Sequence, residues 1–149
     1  MSLQVAIMAK MKEAMKAKDQ VALTSLRAIK AELLLAQTAS GTKTELSEAD
    51  EIKLIQKLVK QRKDSAVIFT TQNRPDLAEP ELAQVAVIEQ FLPEQLTEDE
   101  VTKIVLETID KLEANGMKDM GKVMAAVNTA VAGQADSKTI SVIVKKNLM

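Results

Sequence analysis

Cysteine and histidine are both missing from the 149 residues. Their absence excludes disulfides, structural zinc sites, thiol nucleophiles and histidine-based acid–base chemistry. Tryptophan and tyrosine are missing too, which leaves Phe69 and Phe91 as the only aromatic side chains. A core without rings must be filled by Leu, Ile, Val, Ala and the 8 Met, and the unbranched and γ-branched members of that set favour helix. With 4 Gly and 3 Pro there is little turn material for an all-β fold. No stretch of about 20 apolar residues is present, and no short apolar signal core follows Met1-Ser2-Leu3-Gln4. A cytoplasmic protein with no membrane partner is the expectation. Neither sign of charge prevails: 20 basic against 21 acidic residues give −1. No global field draws the chain to DNA, and any polyanion contact needs a local patch.

Helical spacing fills most of the chain. The first helix is expected from Leu3 to Lys18, with Val5, Met8, Met11 and Met15 as its apolar side. Lys10, Lys12, Lys16 and Lys18 crowd its second half, where cations suit the helix dipole. Asp19 is placed to cap a second helix reaching about Thr38, with Ala22, Leu26, Ile29 and Leu33 inward. A flexible polar loop, 39–44, separates it from Ser47-Glu48-Ala49-Asp50, which is shaped like a capping box. The helix that follows is expected to run to Thr71, about 24 residues and roughly 36 Å. Two neighbouring stripes, Ile55-Val59-Arg62-Ala66-Phe69 and Leu54-Leu58-Gln61-Ser65-Ile68, give it a wide apolar face. Lys53, Lys57 and Lys60 point away from that face and read as a solvated row. Asn73-Arg74-Pro75-Asp76 breaks the helix, and Pro80 is expected in the first turn of a fourth one ending near Phe91.

Leu92-Pro93-Glu94-Gln95-Leu96 reads as a boundary between an N-terminal lobe, 1–93, and a C-terminal lobe, 94–149. Thr97-Glu98-Asp99-Glu100 is a full capping box, and Val101, Ile104, Val105, Ile109 and Leu112 follow at helical spacing. Gly116 is expected in the left-handed position ending that helix. Asp119 then starts a short helix that Gly133 ends, and Asp136 caps the last one, with Ile140, Ile143, Val144 and Leu148 inward. Val142-Ile143-Val144 is β-branched, but one short candidate without a pairing partner stays helical. The fold class is therefore all-α, a four-helix lobe followed by a three-helix lobe.

Six segments resemble the GatB/YqeY family in order. They are Leu26-Arg27-Ala28-Ile29-Lys30, Lys60-Gln61-Arg62-Lys63-Asp64-Ser65, Arg74-Pro75-Asp76-Leu77-Ala78, Phe91-Leu92-Pro93-Glu94-Gln95-Leu96, Asp119-Met120-Gly121-Lys122-Val123-Met124 and Gly133-Gln134-Ala135-Asp136. The likeness is to the free-standing YqeY-like members and covers nearly the whole chain. It implies that the C-terminal lobe resembles the tail domain of the B subunit of tRNA-dependent amidotransferases, an appendage associated with holding tRNA. Similar domains are attached to some glutaminyl-tRNA synthetases. Three positions depart from the family pattern: Asn73 and Ser137 where Gly is common, and Gln134 where a basic residue is frequent.

The residues offer no chemistry to match an amidotransferase. Releasing ammonia from glutamine takes a nucleophile, yet Cys is absent and no Ser stands in a Gly-x-Ser-x-Gly elbow. No Gly-rich phosphate loop exists, the glycines at 41, 116, 121 and 133 being scattered as punctuation. Glu98-Asp99-Glu100 reads as a capping cluster in preference to a cation site. Catalytic residues, metal and cofactors are all expected to be none.

Two sets of charged residues stand out. Arg27, Lys30, Arg62, Arg74 and Asp76 form either a structural ion-pair cluster or an anion site. Arg62 lies on an apolar stripe, where a buried charge needs a partner, and Asp64, Asp76 and Glu79 are the candidates. Lys118, Lys122, Lys138, Lys145 and Lys146 give the C-terminal lobe a candidate nucleic-acid patch, although Asp119 is expected to cap the same helix start as Lys122. Without aromatics, base stacking is closed to it, and RNA shape and backbone remain. The reading is a non-catalytic module associated with tRNA or with a tRNA-modifying or aminoacylating protein. A protein–protein adaptor without nucleic acid is the alternative, and a carbon–nitrogen ligase using glutamine as amido donor comes last.

Overall fold

A computed structural model describes residues 3–39, 41 and 45–149. Among these the secondary structure is helical throughout, without a strand, and the all-α expectation of four helices followed by three is borne out. The helices are α1 (Leu3–Ala17), α2 (Gln20–Thr38), α3 (Glu48–Thr71), α4 (Pro75–Ile88), α5 (Glu98–Leu112), α6 (Met120–Val131) and α7 (Ser137–Leu148), with single 3-10 turns at Glu89–Phe91 and Met117–Asp119. Of the loop expected at 39–44, Ser40 and 42–44 lie outside the described residues. Packing separates two compact units, Met1–Leu92 and Pro93–Met149.

In the first unit α3 and α4 make a helical hairpin, and α2 packs against α1, α3 and α4. The Asp19 carboxylate accepts from Ala22 N at 3.0 Å, starting α2, and Ser47 Oγ accepts from Asp50 N at 3.1 Å, starting α3. Ile7, Leu26, Ile29, Ile55 and Ile88 are the largest side chains fully buried in this core. Two sequence expectations are corrected here. α1 buries Ile7 and Ala14, with Leu3 and Met11 packed beside them, while Val5, Met8 and Met15 are exposed. Both stripes have helical spacing, so spacing alone does not choose between them. α4 begins at Pro75, so Pro80 lies inside the helix. Pro75 takes the first helical position, where its missing N–H costs nothing.

The second unit holds α5, α6 and α7 in mutual contact around Val101, Val105, Val123, Val127, Ile140 and Val144. The capping box at Thr97 is complete: Thr97 Oγ1 accepts from Glu100 N, and Glu100 Oε1 accepts from Thr97 N, each at 3.2 Å. α5 ends on Glu113 in left-handed geometry (φ 52°), whereas Gly116 (φ 74°) opens the following 3-10 turn and does not serve as the helix cap. α6 ends on Ala132 (φ 43°), followed by Gly133 (φ 87°). The Asp136 carboxylate accepts from Lys138 N at 2.9 Å to start α7, whose Ile143 and Val144 are buried while Val142 is exposed. That one-sided burial is helical.

Candidate functional site

Arg62, expected to seek a carboxylate, finds neutral oxygens instead. Its Nε donates to Gln84 Oε1 at 2.8 Å and its Nη1 to the Leu58 carbonyl at 3.2 Å. Gln84 lies on α4 opposite Arg62 in the hairpin, and the side chain is half-buried there. Asp76 is taken by Arg74, two residues before it. Arg74 Nε and Nη2 donate to the two oxygens of Asp76 at 3.1 and 3.0 Å. This two-pronged bond holds the Asp76 carboxyl below the usual carboxylate range. Arg27 is exposed and Lys30 half-buried on α2, and neither has an ion-pair partner among the described residues. The five residues are therefore not drawn into one cluster by direct bonds. Arg62 belongs to the α3–α4 seam and Arg74–Asp76 to the turn before α4.

The row on α3 is partly neutralised. Lys60 Nζ meets Asp64 at 2.9 Å, and Lys63 Nζ meets Glu89 at 3.1 Å across the hairpin. Lys53 and Lys57 line an open groove of about 330 Å³ with Glu32, Asp50, Ala36, Leu46 and Leu54. This groove is not legible in the sequence. The spacing of Asp50, Lys53 and Lys57 marks one helix face, but Glu32 comes from α2 and only packing brings it there. Charges of both signs on an open wall give it no preference for an anion. At the start of α3, burial pushes the Glu51 carboxyl up, against a hydrogen bond from Leu3 N–H that pulls it down.

Lys118, Lys122, Lys138, Lys145 and Lys146 are all exposed, and none has an ion-pair partner among the described residues. Lys122 stands in the first turn of α6, and Lys145 and Lys146 in the last turn of α7. Lys138 lies beside the 132–136 connection, about 10 Å along the helix axis from Lys145. That connection is tied to the start of α5, Leu96 N donating to Gln134 O at 2.9 Å and Gln95 Nε2 to Gly133 O at 3.1 Å. Lys138 thus stands at the opposite end of α7 from Lys145 and Lys146. Asp119 does not cap α6 with its side chain. The 3-10 turn sets Asp119 at φ −96°, ψ 3°, and its carboxylate reaches back to accept from Asn115 N at 2.8 Å.

Comparison with known proteins places this geometry in context. Altered inheritance of mitochondria protein 41, mitochondrial, of Pyrenophora tritici-repentis is 33% identical over 91% of this chain and 75% of its own length. The protein of the same name from Clavispora lusitaniae is 29% identical, over 82% of this chain and 72% of its own. An uncharacterised protein of Schizosaccharomyces pombe is 31% identical over 62% and 74%. The two mitochondrial names correct the cytoplasmic expectation, pointing to mitochondria instead. That expectation rested on the missing apolar signal core and the missing membrane-length apolar run, and neither feature reports which compartment a helical fold packed from Leu, Ile, Val and Ala occupies. The family described as Yqey-like protein matches residues 4–148, and the chain belongs to it.

Proposed function

We propose that this protein is a non-catalytic helical module that works with tRNA or with tRNA-modifying or aminoacylating machinery. The observation that carries the reading is a set of five exposed lysines in the second unit, Lys118, Lys122, Lys138, Lys145 and Lys146, none held by an acid among the described residues. In the first unit Lys10, Lys60, Lys63 and Arg74 are each engaged by an acid, while Arg27, Lys30, Lys53 and Lys57 have no ion-pair partner among the described residues, Lys53 and Lys57 lying beside Glu32 and Asp50. A cation that leaves no carboxylate behind meets a phosphate at lower cost. The resemblance of the second unit to the amidotransferase tail supports the same direction. Contact is with backbone and shape, because only Phe69 and Phe91 are aromatic and both are half-buried.

A gel shift with bulk tRNA over a salt series tests this. Lys118→Glu with Lys122→Glu should weaken binding and flatten the log–log salt slope by about 2, near one per lost phosphate contact. Lys53→Glu with Lys57→Glu should do less, since acids already share their groove. No binding by the unaltered protein, or binding indifferent to both pairs, supports an adaptor that touches no nucleic acid.

A further inference from the structure

α1 carries two stripes, and only one faces the core. On the other, Val5, Met8, Lys12 and Met15 follow at steps of three, four and three, with Val5, Met8 and Met15 exposed by 54%, 48% and 59%. α4 exposes a stripe of its own: Pro75, Glu79, Leu82 and Ala86, at steps of four, three and four, with Leu82 51% exposed. Alternating steps of three and four are the pattern by which two helices interlock side by side. The two helices are also opposite in charge. α4 contains Asp76, Glu79 and Glu81 and no base, whereas α1 contains Lys10, Lys12 and Lys16 against Glu13 alone, and Glu13 is already held by Lys10 at 3.3 Å.

Laid antiparallel, the two stripes agree to within one residue, about 1.5 Å of rise. Val5 then meets Ala86, Met8 meets Leu82, Lys12 meets Glu79 and Met15 meets Pro75. Laid parallel end to end, Met8 falls on Glu79 and Lys12 on Leu82; a parallel shift that returns Lys12 to Glu79 leaves Val5 and Ala86 beyond the partner helix, so only the antiparallel register pairs all four members of both stripes. Lengths of 15 and 14 residues let the seam run from end to end. Within one chain, α1 turns its buried face to α2, and α4 its own to α2 and α3, which leaves both outer stripes to solvent.

We propose that the protein self-associates through this seam, α1 of one copy lying antiparallel on α4 of a second, with Lys12 and Glu79 setting the register. The complementary surface is on the same chain, so a second copy always supplies it. Sedimentation velocity of the full chain across concentration, at low and high salt, tests the proposal. The mass should rise above the monomer's 16.2 kDa with concentration and fall with salt. Lys12→Glu and Glu79→Lys should each weaken association about tenfold or more, because each sets like charges face to face. Mixing the two variants in equal amounts should restore it, since every seam then pairs opposite charges. Unchanged circular dichroism melts establish that both variants fold, as expected at exposed positions. A monomer at every concentration, single variants that associate like the unaltered protein, or no recovery on mixing would overturn the proposal.

Discussion

Arg62 shows how a guanidinium is accommodated on an apolar stripe without a carboxylate. It stays half-exposed, keeping part of its hydration, and spends two of its donors on Gln84 and the Leu58 carbonyl. Such bonds to a charged donor are worth about 1.5–3 kcal/mol at the upper end, less with solvent nearby. Arg62→Met is expected to cost about 1–2 kcal/mol, and Gln84→Ala somewhat less. A double-mutant cycle by urea unfolding should return a coupling of about 0.5–1 kcal/mol, and independent, additive losses would show that the bond contributes nothing. The need for a partner was legible in the sequence, as polar Arg62 interrupts Ile55, Val59 and Ala66. The partner was not. Charge in the sequence points to carboxylates, whereas Gln84 is neutral and 22 residues away, reachable only once the hairpin is closed.

At the scale of the element, caps were the readable part and faces the harder part. Asp19, Ser47, Thr97 and Asp136 each accept from a first-turn N–H, as their positions before apolar runs predict. α1 was harder, because Leu3-Ile7-Met11-Ala14 and Val5-Met8-Met15 are both periodic and share a helix of modest amphipathicity. Ala14 adds little to any hydrophobic count, yet it is what the core accepts. α4 misled in another way, since Pro75 reads as the break after α3 and Pro80 as the next helix start, whereas Pro75 itself opens α4. Pro80 then costs the helix the bond its N–H would make to the Asp76 carbonyl. Pro80→Ala is therefore expected to stabilise the protein by about 1–2 kcal/mol, the regained bond and relieved ring contact outweighing the extra freedom of the unfolded chain. A thermal melt checks it. A lower midpoint would mean that the ring itself packs usefully, which its exposure argues against.

On the scale of the whole molecule, two hydrophobic cores share no member: Ile7 to Ile88 make one, Val101 to Leu148 the other. The count of four helices and then three was legible because the turn chemistry at 92–97 interrupts two periodic runs. The compartment was not, because no packing residue reports it. The absence of shared core residues suggests that each unit folds on its own. The second is small, and units of about 60 residues are marginal on hydrophobic burial alone, so its capping box and the Leu96–Gln134 bond carry weight. Ile140→Ala empties a fully buried site in the second core and Ile29→Ala does the same in the first, each at about 2–5 kcal/mol. Denaturant unfolding followed by amide exchange should resolve two transitions. Ile140→Ala should lower the one that protects α5, α6 and α7 and leave α1 to α4 unmoved, and Ile29→Ala should do the reverse. A peptide of residues 93–149 should keep its helical circular dichroism when excised. A single transition shifted equally by both substitutions would contradict independent folding, and so would an excised peptide without helix.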